Sequence, residues 1–222
     1  MNIEVWSDVV CPWCYVGKRR FEAALARFDH RDDVQVTWRS FELDPAAPAR
    51  RERDYPHHLA AKYGLSVAEA QAMIDRMTDT AAAEGLTFRF DIAEPGNTFD
   101  AHRLIHLARD RGMAEVLVER LLSATFTKGE AIGDRDVLAQ LASDAGLDAG
   151  EVADVLASDA YASAVRADEH EAAALGIHAV PFFVIDRTYG VSGAQPPDVL
   201  LGVLERAWAD AASLEPGALG AL

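Results

Sequence analysis

The stretch Asn2-Ile3-Glu4-Val5-Trp6-Ser7-Asp8-Val9-Val10-Cys11-Pro12-Trp13-Cys14 decides how this chain is read. Residues 2 to 7 alternate apolar and polar side chains, the period of a half-buried strand. Val16, Phe21, Ala24, Leu25 and Phe28 then recur at helical spacing, so the cysteine run falls where a strand ends and a helix begins. Val34, Val36 and Trp38, with Phe41 beyond, resume the alternation and predict a second strand over 34–41. Together they make a βαβ unit, whose crossover is right-handed.

If Cys11 caps the helix, Pro12 occupies the first helical position, where its missing N–H costs nothing. Backbone N–H groups nearby, including that of Cys14, and the helix dipole then favour a thiolate on Cys11. Cys14, one turn on, is expected to lie deeper and within bonding reach, leaving Cys11 as the exposed member. An activated nucleophile backed by a second thiol suits thiol-disulfide exchange, in which Cys11 forms a mixed disulfide and Cys14 resolves it. The plainer readings are two buried structural cysteines and a zinc site. Zinc usually takes four ligands, and there is no second cysteine pair; only His102 and His106, four apart on one predicted helix face, could complete a set. No metal is expected.

Composition narrows the field. The 36 acidic residues against 21 Lys and Arg give a formal net charge of -15, which repels phosphate backbones and anionic lipid heads, so neither nucleic acid nor membrane is an expected partner. The N-terminal residues lack the basic start and apolar run of a secretory signal, and no stretch reaches the roughly 18 apolar residues of a membrane span, which predicts a cytoplasmic address. A bond between cysteines three positions apart closes too small a loop to staple a fold. In a reducing compartment, such pairs are more often catalytic or metal-binding than structural.

From Pro45 to about Gly176 the chain is Ala-rich with helical periodicity. Ser66-Val67-Ala68-Glu69 fits a capping box for a helix running to Gly85, and Asn97 or Thr98 can cap another through Arg111. Further helices are predicted over 114–127, 134–145, 148–158 and 161–175, with a short extended piece at 86–90. Beyond them, Pro181 to Asp186 reads as a buried strand, Tyr189 to Ser192 as its antiparallel return, and Pro196-Pro197 as the start of a last helix. The expected organisation is an α/β domain from 1–44 and 177–212, an all-helical insertion domain over 45–176, and a flexible tail over 213–222.

Several motifs together resemble the thioredoxin superfamily, and within it the DsbA family, in particular its FrnE-type dithiol-disulfide oxidoreductases and isomerases. The residues are Ser7-Asp8 before Cys11-Pro12-Trp13-Cys14, then Gly17, Asn97-Thr98 with Ala101-His102-Arg103, Val180-Pro181-Phe182-Phe183, and Ser192-Gly193-Ala194-Gln195. The resemblance implies a thioredoxin-like fold with a large helical insertion and a cis peptide at Val180-Pro181 beside the cysteines. It also implies an extended substrate paired along Val180 and Pro181, with Pro12, Trp13, Asn97 and His102 at the cleft. The redox group is the Cys11-Cys14 disulfide itself, with no other cofactor and with glutathione or another thiol as a conceivable co-substrate. Substrates would be thiol- or disulfide-containing proteins or small molecules, alongside a separate redox partner, and the resemblance leaves monomer and homodimer open.

Some residues carry two readings. Asp8 either fixes the turn or moves protons at the helix start. Trp13 either touches substrate or packs on the inserted helices. His178, where a small residue is the expectation, is either a plain loop histidine or a cation tuning Cys11. Direction is also open, since superfamily potentials span about 150 mV, roughly 7 kcal/mol for two electrons. Two other functions compete: a glutathione-dependent isomerase or transferase of the 2-hydroxychromene-2-carboxylate isomerase or kappa type, which typically carries serine at the position of Cys11, and a non-catalytic chaperone-like binding module.

Overall fold

Burial of every residue of the first strand after Asn2 organises the molecule. The computed structural model describes residues 1–50 and 54–214. Strand β1 (Asn2–Ser7) pairs in parallel with β2 (Gln35–Ser40) across the helix α1 (Pro12–Ala26), and antiparallel with β3 (Phe182–Ile185), which pairs antiparallel with β4 (Tyr189–Ser192). The sheet order is therefore β2-β1-β3-β4. Its register aligns Trp38, Val5, Phe183 and Val191 in one row. Phe21 of α1 packs on that row, its ring 5.3 Å from that of Phe183, and the last helix α9 (Pro197–Leu214) lies beside α1. This is the thioredoxin-like arrangement.

Seven helices separate β2 from β3 among the described residues: α2 (Tyr55–Tyr63), α3 (Val67–Ala83), α4 (Phe99–Asp110), α5 (Ala114–Ser123), α6 (Arg135–Asp144), α7 (Ala149–Ala157) and α8 (Ala162–Ala174). They form the helical insertion. The Ser66 and Glu69 capping box at α3 is present, each residue bonding the other's backbone N–H. At α4 the Asn97 carboxamide oxygen takes the Phe99 N–H at 3.0 Å, whereas the Thr98 hydroxyl makes no cap.

Four expectations change. Residues 86–90 form no strand; Phe88 and Phe90 instead turn inward around Phe126, at 5.0 and 6.0 Å between ring centroids, because burying aromatic area outweighs an unpaired ladder. The helix expected over 114–127 is α-helical only to Ser123 and widens into a π turn at Ala124–Lys128, where the Thr125 hydroxyl donates to the Leu121 carbonyl and Gly129 closes the turn at φ +64°. Helix α2 was not foreseen, although Asp54 caps it and Gly64 ends it in the left-handed region. Finally, Ser213 and Leu214 belong to α9, and the rest of the expected tail, 215–222, lies outside the described residues.

An ion cluster around the buried Lys18 joins α1 to the insertion. Lys18, only 3% exposed, pairs with Glu22 of its own helix and with Glu115 and Glu119 of α5. Arg19 and the Tyr15 hydroxyl converge on the same Glu119. Burial works against ionisation of Glu119, but bonds from Arg19 and Tyr15, with Lys18 beside them, hold its carboxyl down at about 2. The helix that carries the cysteines is thus fastened to α5 of the insertion. Among the described residues, no helix is long and apolar enough to cross a membrane.

Candidate active site

The turn after β1 delivers the cysteines. The Cys11 N–H bonds the Asp8 carbonyl at 3.1 Å, leaving Cys11 in extended conformation as the cap of α1 and Pro12 as its first residue. The two cysteines lie 3.4 Å apart, and both are free thiols. Cys14 is the deeper, 1% exposed against 4% for Cys11. Burial, reinforced by a hydrogen bond and charge interaction with Cys11, pushes the Cys14 thiol well up, while the Ser7 hydroxyl and the Asp8 backbone N–H oppose that rise.

Two expectations about Cys11 need correction. It is buried rather than exposed, and it meets solvent only as part of a cavity wall that it shares with Pro12, Trp13, Val180 and His178. The Cys14 N–H does not point at the Cys11 sulfur; it bonds the Cys11 carbonyl at 3.0 Å, and the Cys11 thiol donates to the Val180 carbonyl at 3.5 Å. A protonated sulfur has a hydrogen to place, and the nearest buried acceptor takes it.

The Val180-Pro181 peptide is cis, and Pro181 is buried against α1. A Cβ on Gly17 would stand 2.8 Å from Pro181 Cγ, so the glycine is what lets the loop approach. On the other side, the Gly193 N–H bonds the Pro181 carbonyl at 2.8 Å, and Arg20 of α1 bonds the Ala194 carbonyl at 2.7 Å. The motif residues Gly17, Pro181 and Gly193-Ala194 thereby form one support beneath the cysteines.

Behind the cysteine turn is a sealed polar cluster. Asp8 is fully buried; its Oδ2 accepts the Leu43 N–H at 2.8 Å, and its Oδ1 faces His102 Nε2 at 3.4 Å, each of those two atoms having no other partner. Burial lowers the His102 imidazole, but the bond and charge of Asp8, with Glu42 adding to them, outweigh that and raise it. Glu42, whose side chain is fully buried, is bound by Arg166, yet burial still pushes its carboxyl upward. His106, one turn along α4, faces Ser40 and Asp168 instead. Among the described residues no group of three or more His, Cys, Asp and Glu side chains could hold a metal.

The predicted cleft residues therefore divide. Pro12, Trp13, Val180, His178 and Asp8 line the cavity with Cys11. His102 does not line it and faces Asp8 behind the cysteine turn. Asn97 is also off it: its carboxamide is engaged by Phe99 and by the Pro45 carbonyl, and it borders a separate cleft with Asp100 and Asp134. Trp13 is 45% exposed at the mouth. Sequence reading missed the opposite wall, formed by Tyr55, Leu59 and Lys62 of α2 and Met73, Arg76 and Met77 of α3. The i, i+4 pair Met73 and Met77 was a signal of a common face, but not of what it faced.

The family model for the DSBA-like thioredoxin domain matches residues 2–205. The uncharacterized protein YwbO of Bacillus subtilis is 31% identical over 201 residues, covering 90% of this chain and 93% of that protein. The crystal structure of the probable DsbA oxidoreductase SCO1869 from Streptomyces coelicolor superimposes with a TM-score of 0.88 at 50% identity, over 100% of this chain and 94% of that one. The cytosolic disulfide reductase DsbM from Pseudomonas aeruginosa, with GSH, shares the fold at 16% identity, with a TM-score of 0.66 over 94% of this chain and 100% of that one. The cysteine turn, the proline loop packed against it and this match over most of the chain place the protein in the DSBA-like thioredoxin domain family.

Proposed function

We propose that the protein is a dithiol-disulfide oxidoreductase in which Cys11 exchanges with substrate and Cys14 resolves. The observation carrying this reading is the asymmetry of the pair: Cys11 stands on the cavity wall at the positive end of α1, and Cys14 is sealed beneath it with its proton held. In the reductive direction, the Cys11 sulfur attacks one sulfur of a substrate disulfide, forming a mixed disulfide and expelling the other half, which takes up a proton as a thiol. Cys14 then loses its proton and attacks Cys11 Sγ. The second half leaves as a thiol, and the Cys11-Cys14 bond holds the two electrons' worth of oxidation. Oxidase work is the reverse, and isomerase work is release of the mixed disulfide by the substrate's own thiol. Glutathione or another small thiol is a fitting co-substrate for recycling, and the cytoplasm a fitting setting.

In this reading Asp8 and His102 are positioning residues. The Asp8 backbone N–H bonds the Cys14 sulfur, and its carboxylate, tied to His102 and to the Leu43 N–H, fixes the turn that presents that bond. The test is reduction of insulin and of oxidised glutathione by the dithiol protein, with Cys11→Ser and Cys14→Ser controls. Turnover that survives Cys11→Ser contradicts the proposal, and would favour glutathione-dependent chemistry independent of the cysteines.

A further inference from the structure

The cavity over Cys11 encloses about 630 Å³, within the range of sites that take small molecules. Its far wall is apolar and adaptable: Met73, Ile74 and Met77 of α3 face Leu59 of α2, with Trp13 at the mouth. Methionine fills irregular space and adjusts to ligands of different shape, so such a wall suits a class of apolar bodies rather than one.

Two cations share that wall, Lys62 and Arg76. Their state is unusual in this chain. Among the described residues most other guanidiniums are tied to carboxylates, as in Arg19 with Glu119, Arg120 with Glu130 and Arg166 with Glu42, with Arg109 an exception. Neither Lys62 nor Arg76 has a carboxylate partner among the described residues; Lys62 only stands 5.7 Å from the Tyr63 ring. The two acids on the wall are engaged, Asp8 with Leu43 and His102, and Asp44 with a partner of its own. In a protein of net charge -15, two uncommitted cations beside an apolar cavity select for a negative group on whatever enters.

We propose that this cavity binds a low-molecular-weight disulfide with an apolar, aromatic-sized body and a carboxylate, the body lying against Met73 and Met77 and the carboxylate meeting Lys62 and Arg76. The proposal rests on the exchange reading and names its substrate class. Cys11, 4% exposed, is reached through the cavity and not across an open surface, which favours a small disulfide over one held in a folded protein. Chemically, R–S–S–R plus the Cys11 and Cys14 thiols gives two R–SH and the Cys11-Cys14 disulfide; the substrate gains the two electrons and two protons that the protein loses. An external small thiol returns the protein to its dithiol form.

The test uses the full chain as the dithiol and two isosteric probes, 4,4'-dithiodibenzoate and the neutral 4,4'-dithiodibenzamide. Each rate of Cys11-Cys14 oxidation is normalised to that probe's reaction with dithiothreitol. The expected normalised preference for the carboxylate is about tenfold, the scale of two partly exposed charge contacts. It should fall towards one in Lys62→Gln/Arg76→Gln through KM, and invert for the cationic bis(4-aminomethylphenyl) disulfide in Lys62→Glu/Arg76→Glu. Both sites are exposed, so the variants should fold. A preference near one in the wild type, or one that the double variant leaves intact, overturns the proposal while the exchange reading stands. If neither probe, nor insulin, nor oxidised glutathione oxidises the pair, the exchange reading fails and takes this proposal with it.

Discussion

Gly17 of α1 and Pro181 of the loop before β3 meet at a separation that only glycine permits, since a Cβ at residue 17 would lie 2.8 Å from Pro181 Cγ and 3.5 Å from Ala194 Cβ. Gly17→Ala gains about 1 kcal/mol of helix propensity, but overpacking against a rigid ring costs typically 1–3 kcal/mol. The expected outcome is a net loss of about 1 kcal/mol in urea unfolding. A slower exchange rate should accompany it, because the loop that carries the Val180 carbonyl moves off Cys11.

Alkylation should separate the two thiols. Cys11 borders the cavity and Cys14 does not, and burial holds Cys14 protonated at neutral pH. Iodoacetamide at pH 7 should therefore label Cys11 at least ~10-fold faster, each pKa step upward removing a factor of ten in thiolate. Peptide mapping by mass spectrometry reads this directly; equal labelling of both cysteines in the folded protein would contradict it.

The Asp8 and His102 pair predicts a pH dependence. The folded-state pKa of His102 is raised above its unfolded value, so the pair's stabilisation is fully present below about pH 6.5 and is lost as pH rises through the raised value. Asp8→Asn keeps an acceptor for the Leu43 N–H but removes the charge. Its cost should be about 1–3 kcal/mol near pH 6 and smaller near pH 9. Denaturant unfolding across that range, with the His102 ring followed by NMR, checks both magnitude and direction; a cost that grows with pH would be the wrong sign.

At Glu119 the dependence runs the other way. Its carboxyl is held at about 2 by Arg19, Tyr15 and Lys18 against the effect of burial, so its contribution is present above the ordinary carboxylate pKa of about 4.3 and disappears as pH falls through about 2. The depression amounts to about 3 kcal/mol before screening, and to about 1–2 kcal/mol for a carboxylate 34% exposed. Glu119→Gln should lose that amount at pH 7 and little at pH 2, measured by unfolding at the two pH values.

What the sequence disclosed and what it hid follow from where each signal resides. Pro12 directly after Cys11 is a local signal, and it correctly put the cysteines at a helix start. Strands β1 and β2 showed a period of two even though β1 is buried on both faces, because its second face carries the polar residue Glu4, paired there with Arg39 and Arg187. The accessibility of Cys11 was misread because α2 and α3, more than 40 residues downstream, form the wall that encloses it; spacing near the motif carries no trace of that. Asn97 looked like a cleft residue, but capping α4 and bonding the Pro45 carbonyl consume its carboxamide. His102 was singled out without its partner, because the contact with Asp8 joins residues 94 positions apart through the fold alone.

Trapping tests the central claim most directly. Cys14→Ala, incubated with oxidised glutathione and quenched with acid, should accumulate a stable glutathione adduct on Cys11, found by intact mass and peptide mapping. The wild type should pass through the same adduct to a Cys11-Cys14 disulfide, and Cys11→Ala should form no adduct under the same conditions. An adduct absent from Cys14→Ala, or equally abundant in Cys11→Ala, would contradict the assignment of Cys11 as nucleophile and Cys14 as resolving thiol.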